Sequence, residues 1–99
     1  MIEIRKTTQF ASWLDSLRDI RARARIQARI ERLEMGNPGD VRPIGEGVSE
    51  MRIDHGPGYR VYFVTRRRSV MILLAGGTKG TQSRDVRMAL NLARGIDQP

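Results

Sequence analysis

The spacing of apolar residues changes from a helical to a strand interval at Gly36-Asn37-Pro38-Gly39-Asp40 of this 99-residue chain. Ahead of it, Phe10, Trp13, Leu14 and Leu17 occupy one face of a helix at i, i+3, i+4 and i+7, and Ala22, Ile26, Ile30 and Leu33 line a second helix from Arg21 to Met35. Beyond it the interval falls to two. Met51 and Ile53 alternate with Glu50, Arg52 and Asp54, and the run Tyr59 to Thr65 returns after a turn at His55-Gly56-Pro57-Gly58. The chain must therefore pack a pair of helices ahead of this point against a sheet built from the strands beyond it.

The punctuation fits this division. Thr7-Thr8 offers an N-cap for the first helix, and the two helices meet near Arg18-Asp19 as a helical hairpin. Gly36 can close the second helix in the left-handed conformation, and Pro38 bars its continuation. Residues 2–6 alternate as a short strand. Arg66-Arg67-Arg68 turns the chain after Thr65. Val70 to Ala75 is apolar throughout, as in a central strand covered on both faces, and Gly76-Gly77 ends it. Val86, Leu90 and Ala93 then mark a last helix, Ser83 to Arg94, with Ser83 as its cap. The expected fold is a single α+β domain over residues 1–99, in the order β-α-α-β-β-β-α: an N-terminal strand, a helical hairpin, a three-stranded antiparallel meander and a C-terminal helix. With the helices mainly on one face of the sheet, the other face is free to carry polar chemistry.

Charge narrows the choice of partner. Lys and Arg total 18 against 11 Asp and Glu, a net charge of +7, and since only Lys6 and Lys79 are lysines, 16 of the 18 are arginine. Residues 1–40 contribute 8 − 6 = +2 and residues 41–99 contribute 10 − 5 = +5. Arginine grips phosphate at two points and stacks on bases, so nucleic acid or an acidic protein is the expected partner. No apolar run approaches the roughly 20 residues of a bilayer span, so no membrane partner is expected. The N-terminal residues lack the apolar region of a signal peptide, and there is no cysteine. These features suggest a cytoplasmic protein without disulfides, thiol nucleophile or thiolate metal site. No His, Asp and Glu set has metal-ligand spacing, and no cofactor is expected.

If the hairpin register keeps Met51, Ile53, Val61 and Phe63 in the core, Arg52, Arg60 and Tyr62 project together from the opposite face, with Lys79 arriving just after the third of these strands. Such a concavity suits a phosphodiester. The structural alternative is that Arg52 and Arg60 pair across the strands with Glu50 and Asp54, for about 0.2–1 kcal/mol per pair. His55 is the sole imidazole, so acid–base work falls to His55, Tyr62, Glu50 or Asp54, or electrostatics dominates. Arg66, Arg67 and Arg68 form a basic knob for steering phosphate, and Arg84 adds to it as a further RNA-binding candidate. The stripe Arg21, Arg25, Arg29 and Arg32 reads as a solvated helix flank, Trp13 as core, and Gly76-Gly77-Thr78-Lys79-Gly80 lacks the spacing of a nucleotide-binding loop.

A set of longer motifs, in order over nearly the whole chain, resembles the addiction-module killer proteins, the HigB-like side of the RelE/ParE toxin superfamily. They include Arg21-Ala22-Arg23-Ala24-Arg25-Ile26, Gly36-Asn37-Pro38-Gly39-Asp40, Gly45-Glu46-Gly47-Val48-Ser49-Glu50, Gly56-Pro57-Gly58-Tyr59-Arg60-Val61-Tyr62-Phe63 and Leu73-Leu74-Ala75-Gly76-Gly77-Thr78-Lys79-Gly80-Thr81-Gln82 with Asp85. The resemblance implies the toxin of a type II toxin–antitoxin system. Such a toxin is an mRNA interferase that cuts message in the ribosomal A site by attack of the ribose 2′-OH on the adjacent phosphate, without metal. Its partners would be the ribosome, mRNA and a cognate antitoxin protein. Arg60 matches the family's sheet arginine; Arg52, Lys79, Tyr62 and His55 complete the expected catalytic set. The chain departs from RelE in having no tyrosine after Tyr62; beyond Arg94 its tail offers only Asp97 as an ionisable side chain. Two other functions compete: a ParE-like toxin that poisons DNA gyrase, and an RNA-binding module that holds phosphate without cleaving it.

Overall fold

A computed structural model of the chain describes residues 2–96. Its elements are β1 (Glu3–Lys6), α1 (Thr8–Ser16), α2 (Ile20–Glu34), β2 (Val41–Gly45), β3 (Val48–Ile53), β4 (Tyr59–Arg66), β5 (Val70–Thr78), a 3₁₀ turn (Lys79–Thr81) and α3 (Gln82–Ile96). The strands form one sheet in the order β1-β5-β4-β3-β2. β2 to β5 run antiparallel, and β1 lies parallel to β5. The α+β architecture and the element order are as expected, with one strand more: the meander has four strands because Val41–Gly45 pairs with β3. Pro43 hides this strand in the sequence, yet it is tolerated because β2 is an edge and needs no outward donor.

Local chemistry sets the helix boundaries. The Thr7 hydroxyl accepts from Phe10 N–H, and the Asp19 carboxylate accepts from Arg21 and Ala22 N–H, so both helices of the hairpin start on side-chain caps. α2 ends in a Schellman motif: Gly36, at φ +85°, donates to Leu33 O, and Asn37 donates to Arg32 O.

Two apolar clusters lie on opposite faces of the sheet. Phe10, Leu14, Ala22, Ile26, Ile30 and Leu33 from the hairpin pack on Met51, Ile53, Val61, Phe63 and Leu73. Ala89 and Ala93 of α3 pack instead on Val48, Tyr62, Val64, Leu74 and Ala75 across the sheet. The expectation that one face stays open is thus corrected: α3 covers it at Val48, Tyr62, Val64, Leu74 and Ala75. A bulge between Tyr62 and Phe63 in the β4–β5 register lets Leu74 and Ala75 both reach the α3 side.

The glycine pair also differs from expectation, since β5 runs through it to Thr78. A Cβ on Gly76 would lie 2.1 Å from the Trp13 ring, and one on Gly77 would lie 1.7 Å from Asp85 Oδ2. These two residues admit a helix side chain on each face of one strand rather than ending it.

Candidate functional site

Register places Arg52 directly opposite Arg60, and Glu50 opposite Tyr62, on the α3 face of the sheet. Two arginines facing each other at a cross-strand Cβ spacing of about 5 Å repel, and such a pair is stable only with anions beside it. Each has one. Arg52 Nη2 donates to Asp40 Oδ1 at 2.8 Å and Nε to the same oxygen at 3.2 Å. That bond holds the Asp40 carboxyl below its ordinary range and raises Arg52. Arg60 Nε lies 3.9 Å from Glu50 Oε1, too long for a hydrogen bond. It has no hydrogen-bond partner among the described residues.

Glu50 is fully buried, and its carboxylate is shared. Arg42 Nε approaches Oε1 at 3.2 Å, and Gln82 Nε2 donates to Oε2 at 2.8 Å. A β2 residue and the first residue of α3 therefore meet at the carboxylate under Arg60. Asp40 is fixed from the other side, where its carbonyl accepts from Arg52 N–H at 2.9 Å. Arg29 reaches over from α2, donating to Arg52 O at 2.6 Å and Pro38 O at 3.1 Å. Arg29 was expected on a solvated flank; it instead binds the 38–40 loop to β3, and partial burial lowers its pKa.

Lys79 enters from the 3₁₀ turn, its backbone N–H bonded to Gly58 O at 2.8 Å. With Arg52 and Arg60 it lines an open cleft of about 360 Å³, together with Asp40, Asp54 and Gly58. Three of the five expected catalytic residues thus converge, and two do not. Tyr62 shares the face but is fully buried beneath α3, and its hydroxyl has no hydrogen-bond partner among the described residues. Burial and the Glu50 carboxylate push its pKa well above that of a free phenol. His55 turns to the helical-hairpin side, where Nε2 lies 3.2 Å from Asp19 Oδ2 and the ring stacks on Tyr59 at 6.4 Å. Of the alternative pairing of Arg52 and Arg60 with Glu50 and Asp54, the Arg60–Glu50 ion pair forms, at 3.9 Å, whereas the partner of Arg52 is Asp40.

Arg66, Arg67 and Arg68 sit at the other end of β4, about 20 Å from Arg60 at the rise of a strand. Arg67 adopts φ 55° in that turn. Arg84 lies closer to the cleft, lining a neighbouring cavity with Lys79. Asp97 lies outside the described residues. The residues that sequence reasoning missed are Asp40, Arg42 and Gln82, whose roles depend on strand pairing and helix docking rather than on local pattern. Glu50, which the sequence offers as a cross-strand partner or an acid–base group, is instead buried beneath Arg60. Among the described residues no three His, Asp or Glu side chains gather where they could share a metal ion, and no helix is long and apolar enough to cross a membrane.

Comparison with known proteins agrees over most of the chain. A protein of Haemophilus influenzae, described only as uncharacterized, is 47% identical over 93 residues, covering 94% of each chain. Residues 12–94 match the phage-derived protein Gp49-like family, a span that runs from α1 through the cleft to α3. The chain belongs to the Gp49-like family of phage-derived proteins.

Proposed function

We propose that this protein is the toxin of a type II toxin–antitoxin system, and that it cleaves mRNA on the ribosome by metal-independent transesterification. The observation that carries this reading is the cross-strand pair Arg52 and Arg60, closed by Lys79 around one cleft. In the proposed step the 2′ oxygen attacks the adjacent phosphorus and the bond to the 5′ oxygen breaks. The products are a 2′,3′-cyclic phosphate and a 5′-hydroxyl; one proton leaves the 2′ oxygen and another reaches the 5′ oxygen. Negative charge builds on the phosphate as this happens, and preorganised guanidinium groups stabilise it where it forms. With Tyr62 buried and His55 facing the hairpin, Asp54 becomes the candidate proton acceptor, because Asp40 is already held by Arg52.

A net charge of +7 favours binding to the ribosome and its message, and equally to an antitoxin that is acidic on its contact face. One observation favours a second reading, an RNA-binding module without cleavage: neither the imidazole nor the phenol reaches the cleft. Induced expression with mapping of mRNA 5′ ends separates the two. Cuts inside translated frames that disappear when translation initiation is blocked support the toxin. Intact message in growth-arrested cells supports the binding module, and gyrase-dependent DNA breaks with intact message would point to the ParE-like mechanism.

A further inference from the structure

The cleft just described is poorly suited to hold RNA by charge. Of its lining side chains Arg52, Arg60 and Lys79 are cationic and Asp40 and Asp54 anionic, so three positive charges are reduced to one. Next to it lies a second cavity of about 380 Å³, lined by Lys79, Arg84 and Arg87 with Ser83 and Gln82 between them. No carboxylate lines this one. Asp85 is buried beneath it, 3.4 Å from Arg84 Nε, and otherwise bound to the Thr81 hydroxyl. Lys79 and Arg87 make no ion pair among the described residues. The two cavities share Lys79, so they adjoin at that side chain.

We infer that the Lys79, Arg84 and Arg87 cavity is the main phosphate anchor of the protein. It would hold a backbone phosphate of single-stranded RNA neighbouring the one poised between Arg52 and Arg60. The inference rests on the RNA reading above and divides its labour. The neutralised cleft acts on charge that develops during reaction, where uniform affinity for the ground state gives no rate advantage. The second cavity, where Arg84 is paired with Asp85 and Lys79 and Arg87 make no ion pair among the described residues, supplies ground-state affinity through counterion release. Arg87, which no motif singles out, becomes a substrate-binding residue, and Lys79 serves both sites.

The test uses the full chain and a fully 2′-O-methylated RNA tetranucleotide, which lacks the attacking hydroxyl and can be bound but not cut. Affinity is measured by anisotropy over a series of KCl concentrations, with cleavage of reporter mRNA followed in a translating extract. An Arg84→Ala/Arg87→Ala variant should lose about 0.7 per removed cation from the slope of log affinity against log salt, and require more ribosome-bound message for half-maximal cleavage. An Arg60→Ala variant should keep most of its affinity and lose turnover. Circular dichroism checks that both remain folded. An unchanged salt slope in the double variant, with the loss appearing in Arg60→Ala instead, overturns the inference. So does a wild-type protein that cuts message but does not bind the oligonucleotide. If wild type neither binds nor cuts, the RNA reading itself falls.

Discussion

The two ends of β4 carry arginine in different ways. At one end Arg60 lies in register with Arg52 and above the fully buried Glu50, with Gly77 beside it on β5. At the other, Arg66, Arg67 and Arg68 follow one another through a turn, with Arg67 in the left-handed region. The first end positions charge through strand pairing and a shared carboxylate. The second concentrates more charge over fewer residues without that framework. The two ends thus differ in framework as well as in charge density: like charge is held in opposition at one, by the buried Glu50 beside Arg60 and the exposed Asp40 bound to Arg52, and only follows the chain at the other.

Substitution should expose that difference first as a difference in tolerance. Gly77→Ala at the ordered end places a methyl where Asp85 Oδ2 sits and should cost upwards of about 3 kcal/mol, read as a fall in the denaturation midpoint. Arg67→Gly at the turn end relieves φ 55° and should change stability by less than about 1 kcal/mol. Equal losses at the two positions would erase the distinction. Next in size, Glu50→Ala removes the carboxylate beneath Arg60 and Arg42 and should cost about 3 kcal/mol by chemical denaturation. A loss below about 1 kcal/mol would mean that the acid does not organise this end.

Tyr62→Phe sharpens the comparison from the side of the buried phenol. It deletes a hydroxyl with no partner among the described residues, so stability should hold or rise by about 1 kcal/mol, and cleavage should persist. Loss of cleavage in this variant would return Tyr62 to the reaction. The smallest effect concerns Asp19, the cap of α2 that holds His55 away from the cleft. Its bonds to Ala22 N–H and His55 depress its pKa below the ordinary 3.8. A depressed folded pKa stabilises above the ordinary value and ceases to do so as pH falls through the folded one. Asp19→Ala should therefore be less stable than wild type near neutrality, and the two should converge only at pH below 3.8, as followed by thermal melts.

Much of this was legible in the chain, for identifiable reasons. Alternation fixes which side of a strand a residue takes, so Met51, Ile53, Val61 and Phe63 could be assigned to the core, and with them the shared face of Arg52 and Arg60. The cap at Thr7 and the stop at Gly36 were local chemistry. What escaped depended on tertiary placement. β2 was masked by Pro43, a residue that argues against strand except at an edge. Gly76-Gly77 resembled a terminator because the ring of Trp13 and the carboxylate of Asp85 that require the space come from other elements. Tyr62 was assigned to the right face, but α3 docks over it, and its burial follows from that docking rather than from any local pattern. Arg29 sits in a solvated-looking stripe, and only the 38–40 loop folding back gives it carbonyls to bind.

On the proposed function, the opposed pair on β3 and β4, rather than total basic charge, carries the activity. Counting mRNA 5′ ends after induction of Arg60→Ala and, separately, of Arg67→Ala/Arg68→Ala tests it directly. The single change should lower cleavage by about 10²–10³, while the double change, which removes more charge, should leave it within a few-fold of wild type. Cleavage that survives in Arg60→Ala and collapses in the double variant would contradict it.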